Sequence, residues 1–204
     1  MVTPLKTMEH SDARGSAVIP WILITVFVFG SLLAAVWLRP TDQSQIPGYT
    51  PMMERNLLQP FELTHHDGNS INSDFFGGDW TLVFFGFTHC PDICPTTLSV
   101  LNKLVTELGD SAPRVVFVGV DPERDRDLLK DYVQAFNPNF HGVTGGRSEL
   151  QNLASQLHAV FAVDNDQVTH TSNIMLVNPN AEYVGYFSVP HRPEVMAKAL
   201  GELM

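Results

Sequence analysis

Cysteine is scarce in this chain: two residues, Cys90 and Cys94, among 204. That excludes a disulfide scaffold. Basic residues are also few, 12 Lys and Arg against 22 Asp and Glu, for a formal charge of -10. Nucleic-acid binding needs a basic footprint, so that function class is excluded. No internal repeat is visible, which removes solenoids and propellers. The first residues show neither an Arg-rich, acid-poor transit character nor a convincing small-residue cleavage site. Disorder is excluded too, because 44 % of the residues are hydrophobic.

What is present begins with a long uncharged run. Residues 17–38 carry no charge, and Arg14 and Arg39 bracket them. A bilayer core of about 30 Å needs roughly 20 apolar residues in a helix. The run is longer than the apolar core of a secretory signal. Trp21 and Trp37 sit near its two ends, where an aromatic belt would place them. Residues 1–16 are therefore expected as a cytoplasmic tail and 17–38 as a transmembrane anchor in contact with lipid. A buried core helix is the competing reading. Positive-inside counting is nearly tied, with Lys6 and Arg14 before the span and Arg39 and Arg55 after it. The expected topology is a single pass through a bacterial inner membrane with the C-terminal domain in the periplasm. Residues 39–60 hold Pro40, Pro47, Gly48, Pro51 and Pro60 without a clear period, and are expected as a linker. Met52 and Met53 within it read as apolar contact rather than thioether ligands.

From residue 61 to 204 strands alternate with helices. Residues 61–64 suggest a short strand and 66–69 a turn. Residues 80–87 (WTLVFFGF) and 115–120 (VVFVGV) read as strands buried on both faces. Leu98, Leu101, Leu104, Val105 and Leu108 follow Pro95 at helical spacing and end at Gly109. Leu128, Leu129, Tyr132, Val133 and Phe136 give a second amphipathic helix, and Leu150, Leu153, Ala154 and Leu157 a third. Residues 174–177 and 183–187 flank Asn178-Pro179-Asn180 as a hairpin, and Pro193 opens a C-terminal helix. The fold class expected is α/β with a thioredoxin-like arrangement, behind one N-terminal transmembrane helix.

Both cysteines lie after the first buried strand, in Thr88-His89-Cys90-Pro91-Asp92-Ile93-Cys94-Pro95. Functional groups gather at the carboxyl ends of strands in open α/β sheets. Cys94 precedes a helix start, where the dipole is expected to lower its thiol pKa. The spacing leaves two chemistries open, dithiol–disulfide exchange and binding of a soft metal. A metal would require another ligand. Of eight histidines, His10 precedes the span, and His65 and His66 fall in a turn. His141, His158 and His191 read as surface histidines, and His89 is too close in sequence to Cys90 for both to face one ion. His170 precedes the strand at 174–177, in a loop that a thioredoxin-like sheet brings to the cysteines. Thiol–disulfide exchangers carry a cis-proline there, but this chain has no proline between Pro138 and Pro179. His170 is thus the candidate third ligand, against an ordinary loop histidine.

The segments FFGFTHCPDICPTTL at 84–98, DPERD at 121–125 and THTSNIMLVNP at 169–179 resemble the Sco/SenC family. The resemblance implies a membrane-anchored, thioredoxin-like copper protein that assists assembly of the Cu(A) centre of cytochrome c oxidase. It implies copper ligands at Cys90, Cys94 and His170, with Cys90 and Cys94 also able to form a redox-active disulfide. The implied partner is oxidase subunit II or another copper chaperone, and the role is that of a metallochaperone rather than an enzyme. Two thiolates and a neutral imidazole suit both Cu(I) and Cu(II). Asp121 could tune the site, contact a partner or simply cap a helix. Departures from the family pattern are Thr169 before the histidine and Pro179-Asn180-Ala181 in the hairpin turn. Two alternatives stand beside the chaperone: a thiol–disulfide reductase that keeps partner cysteines reduced, and a thiol peroxidase.

Overall fold

The computed structural model describes residues 21–24, 27–31, 46–164 and 167–204. The chain divides into two compact units, 1–42 and 43–204. In the first, residues 21–24 and 27–31 are helical and exposed. The rest of the expected span at 17–38 lies outside the described residues. Among the described residues, no helix is long and apolar enough to cross a membrane.

The second unit carries β1 (Tyr49–Leu57), β2 (Leu63–His65), β3 (Ser70–Ile71), β4 (Thr81–Gly86), α1 (Ile93–Leu108) and β5 (Arg114–Gly119). It continues with α2 (Pro122–Asp125), α3 (Leu129–Gln134), β6 (His141–Thr144) and α4 (Arg147–Gln156). The last elements are β7 (Phe161–Asp164), β8 (Gln167–His170), β9 (Ile174–Val177), β10 (Glu182–Phe187) and α5 (Pro193–Leu203). One eight-stranded sheet has the order β1-β10-β9-β4-β5-β6-β2-β3, and β7 and β8 form a separate hairpin. β4, β5 and β6 run parallel, whereas β9 lies antiparallel to β4.

β4 explains the layering. All six of its residues are buried, because a continuous apolar strand needs cover on both faces. Leu82 and Phe84 enter a core completed by Leu98, Leu101 and Leu104 of α1, Val133 of α3 and Leu200 of α5. Val83 and Phe85 enter the other core, closed by Leu150, Leu153 and Ala154 of α4. Each such leucine withdraws an area worth roughly 1.5–3 kcal/mol from water.

Two expectations need correction. The tether over 39–60 gives way at 49–57 to β1, which pairs antiparallel with β10. Most of β1 is exposed, so an edge strand left no apolar alternation to read. Its ladder is irregular between Pro51 and Asn56, and proline is tolerated on an edge. Secondly, His170 closes a strand rather than sitting in a loop. Phe161 pairs with His170 across the β7–β8 hairpin.

Candidate metal centre

β4 ends at Gly86, and the chain turns through residues 87–92 into α1. Within that turn the Cys90 N–H reaches the Phe87 carbonyl at 3.2 Å. Cys90 is half-buried, whereas Cys94, second in α1, is fully buried, and both are free thiols. The Cys94 N–H donates to Cys90 Sγ at 3.3 Å, so an otherwise unpaired N–H of the first helical turn is aimed at the sulfur. His170 arrives from the end of β8. Its ring stands edge-on to Phe84 and Phe87, with centroids 5.8 and 6.1 Å away.

His170 Nδ1 lies 3.0 Å from the Thr171 carbonyl. A carbonyl only accepts, so Nδ1 carries the proton and Nε2 keeps its lone pair. That lone pair faces Cys94 Sγ at 3.6 Å. Burial lowers the imidazole pKa, partly opposed by the Thr171 bond, so the ring is neutral and ready to bind a cation. Ligand atoms of Cys90, Cys94 and His170 lie within 4.8 Å of one another. Two sulfurs and one oriented nitrogen form a soft donor set suited to copper, and one ligand short of a closed structural zinc site. The hydrogen bond behind His170 is the kind of support that fixes ligand orientation.

Cys94 departs from the expected acidity. Burial first, then its hydrogen bond to Cys90, push its pKa up. Helix termini favour anions, but a sulfur excluded from water loses more solvation than a terminal partial charge returns. Cys94 therefore gives up its proton to an incoming cation far more readily than to water.

Asp121 is not among the grouped ligand atoms. It precedes α2 at the N-cap position without a side-chain cap bond, is buried, and pairs with Arg124. The residue that reaches the cysteine loop is Asp125, to which the sequence alone assigns no role. One carboxylate oxygen accepts from the Thr88 N–H at 2.7 Å and hydroxyl at 2.8 Å, and the other from the Asp121 N–H at 3.1 Å. Its signal in the sequence is an acidic residue four after Asp121, one helical turn on. Burial raises the Asp125 pKa against those hydrogen bonds.

The other described histidines lie outside this ligand group. His89 meets Thr88, and His158 is exposed beside Tyr183. His191 is half-buried and donates to the Ser172 carbonyl at 2.9 Å. His65 and His141 are not solvated turn and surface residues: His65 Nε2 and His141 Nδ1 stand 3.0 Å apart, and His65 also pairs with Asp67.

Several known proteins are similar to this chain. The human mitochondrial protein SCO1 homolog is 34 % identical over 158 residues, which are 71 % of this chain and 52 % of that one. The chain thus spans about half the length of that relative. A SCO2-like protein of Rickettsia conorii is 32 % identical, across 88 % of this chain and 93 % of its own. The crystal structure of Arabidopsis thaliana ScoI with copper bound superposes with a TM-score of 0.66 at 30 % identity, over 72 % of this chain and 98 % of that one. Residues 50–204 match the family model described as SCO1/SenC. With its fold, its paired thiols and its facing imidazole, this chain belongs to the SCO1/SenC family.

Proposed function

We propose that this protein is a copper carrier anchored in the bacterial inner membrane, holding one copper between Cys90, Cys94 and His170 and assisting assembly of the Cu(A) centre of cytochrome c oxidase subunit II. The observation that carries the reading is the approach of those three ligand atoms to within 4.8 Å. The copper-bound relative in Arabidopsis thaliana supports it, as does the family resemblance. The uncharged run at 17–38 supports the anchor and an exported second unit.

The chain's own groups suggest how loading proceeds. Nε2 of His170 offers a lone pair without prior deprotonation. Cys90 is the more accessible sulfur and meets the cation first, steadied by the Cys94 N–H. Cys94 then exchanges its proton for the metal. A half-buried site with three ligands leaves one side open to ligands of a receiving protein, which delivery needs. A second reading, a thiol–disulfide reductase, is favoured by the Cys94 N–H at Cys90 Sγ, since such a bond stabilises an attacking thiolate.

His170→Ala separates the two. Copper carriage predicts that the variant weakens Cu(II) more than Cu(I), because two thiolates hold the cuprous ion in low coordination while the cupric ion needs the nitrogen. Oxidase assembly in cells should fail while thiol redox activity survives. Lost copper binding with normal oxidase assembly would favour the reductase.

A further inference from the structure

Asp125 is fully buried, yet the loading sequence above makes no use of it. Burying a carboxyl group is costly unless donors meet it. Three donors do. One oxygen takes the Thr88 N–H at 2.7 Å and the Thr88 hydroxyl at 2.8 Å, and the other takes the Asp121 N–H at 3.1 Å. The group therefore joins two loops that leave the sheet side by side, one after β4 and one after β5. At their roots the Val120 N–H donates to the Gly86 carbonyl at 2.9 Å.

This grip runs on towards the first sulfur. The Thr88 hydroxyl has one proton and gives it to Asp125, so it accepts from His89 Nδ1, 3.1 Å away. His89 is followed directly by Cys90. Cys90 itself is held by longer bonds, its N–H to the Phe87 carbonyl at 3.2 Å and its sulfur to the Cys94 N–H at 3.3 Å. Beneath the carboxyl lies Gly119, where a methyl group would stand 2.9 Å from Asp125 Oδ2. Glycine there leaves the room that the buried group fills.

We propose that Asp125 is a positioning residue of the copper centre: through Thr88 it holds the cysteine loop in the arrangement in which Cys90, Cys94 and His170 already face one another before metal arrives. The inference rests on the copper-carrier reading above. When only a fraction of metal-free loops is competent to bind, the apparent dissociation constant rises by the inverse of that fraction. Asp125 lies outside the ligand group and acts through Thr88.

The test is Thr88→Val in the full chain, purified in detergent. It removes the hydroxyl bond and leaves Asp125 two backbone donors, so the fold should persist. Cu(I) affinity should fall by roughly three- to tenfold, the range that one hydrogen bond supplies. In the metal-free variant the amides of Thr88, His89 and Cys90 should exchange hydrogen faster while those of β4 and β5 keep their rates. Thr88→Ser keeps the hydroxyl and should restore both readings. Gly119→Ala leaves every bonded group in place but pushes the carboxyl from below, and should weaken copper binding as Thr88→Val does. A merely structural Asp125 would lower the urea midpoint without moving affinity or loop exchange. Unchanged affinity or unchanged loop exchange in Thr88→Val would overturn the proposal. So would equal losses in Thr88→Ser, or a folded Gly119→Ala chain that binds copper as tightly as its parent. If the unaltered chain binds no copper, the carrier reading fails, and loop exchange in the metal-free chains still decides whether Asp125 orders the loop.

Discussion

A methyl group on Gly86 would stand 2.7 Å from the Phe117 ring and 2.9 Å from the Cys94 sulfur. No side chain fits at those distances, so Gly86→Ala must push the ring, the sulfur or both. We expect a loss of about 1–3 kcal/mol in stability from overpacking, and weaker copper binding as Sγ leaves its place opposite His170. Urea unfolding and a copper titration of the one variant check both. Unchanged copper affinity would mean that the site tolerates displacement of Cys94. At this scale the ligand types were legible, because thiol and imidazole chemistry belongs to the residue itself. The acidity of Cys94 was not, because burial is set by Phe117 and its neighbours on other elements. Asp125 was illegible for the same reason: its partner Thr88 lies across the fold.

Between elements, the β2–β6 pairing carries a chain of titratable groups, Asp67 to His65 to His141. Burial, with the charges of His65, Arg114 and His66, lowers the His141 pKa from 6.5 to about 4. His66 shifts the same way, mainly through burial. The unfolded chain then binds protons that the folded chain refuses between those values. This stabilisation is full above the ordinary histidine pKa of about 6.5 and is lost as pH falls from there towards 4. The thermal unfolding midpoint should therefore drop across that window, and His141→Gln should flatten the drop. An equal pH dependence in the variant would remove His141 from the account. The elements themselves were uneven to read. β4, α1 and β9 announce themselves through apolar runs or helical spacing. β1 does not, since an edge strand faces solvent and carries polar residues. The β7–β8 hairpin packs only part of its surface, so its short alternation is not distinguishable from a loop in sequence, although it delivers His170.

At the scale of the whole molecule, the proposed N-terminal anchor precedes a sheet whose cysteine loop supplies two of the three grouped copper ligands. The uncharged run at 17–38 motivates the topology. A reporter fused after Met204 should be active only in an exported environment, and activity confined to the cytoplasm would defeat that part. The central claim is that Cys90, Cys94 and His170 hold copper together. Its most direct measurement is copper retained by the full chain in detergent, once with both thiols reduced and once with Cys90 and Cys94 joined as a disulfide. Only thiolate sulfur is a ligand, so the reduced chain should retain about one copper and the disulfide form almost none. Equal retention by the two forms would contradict a thiolate site.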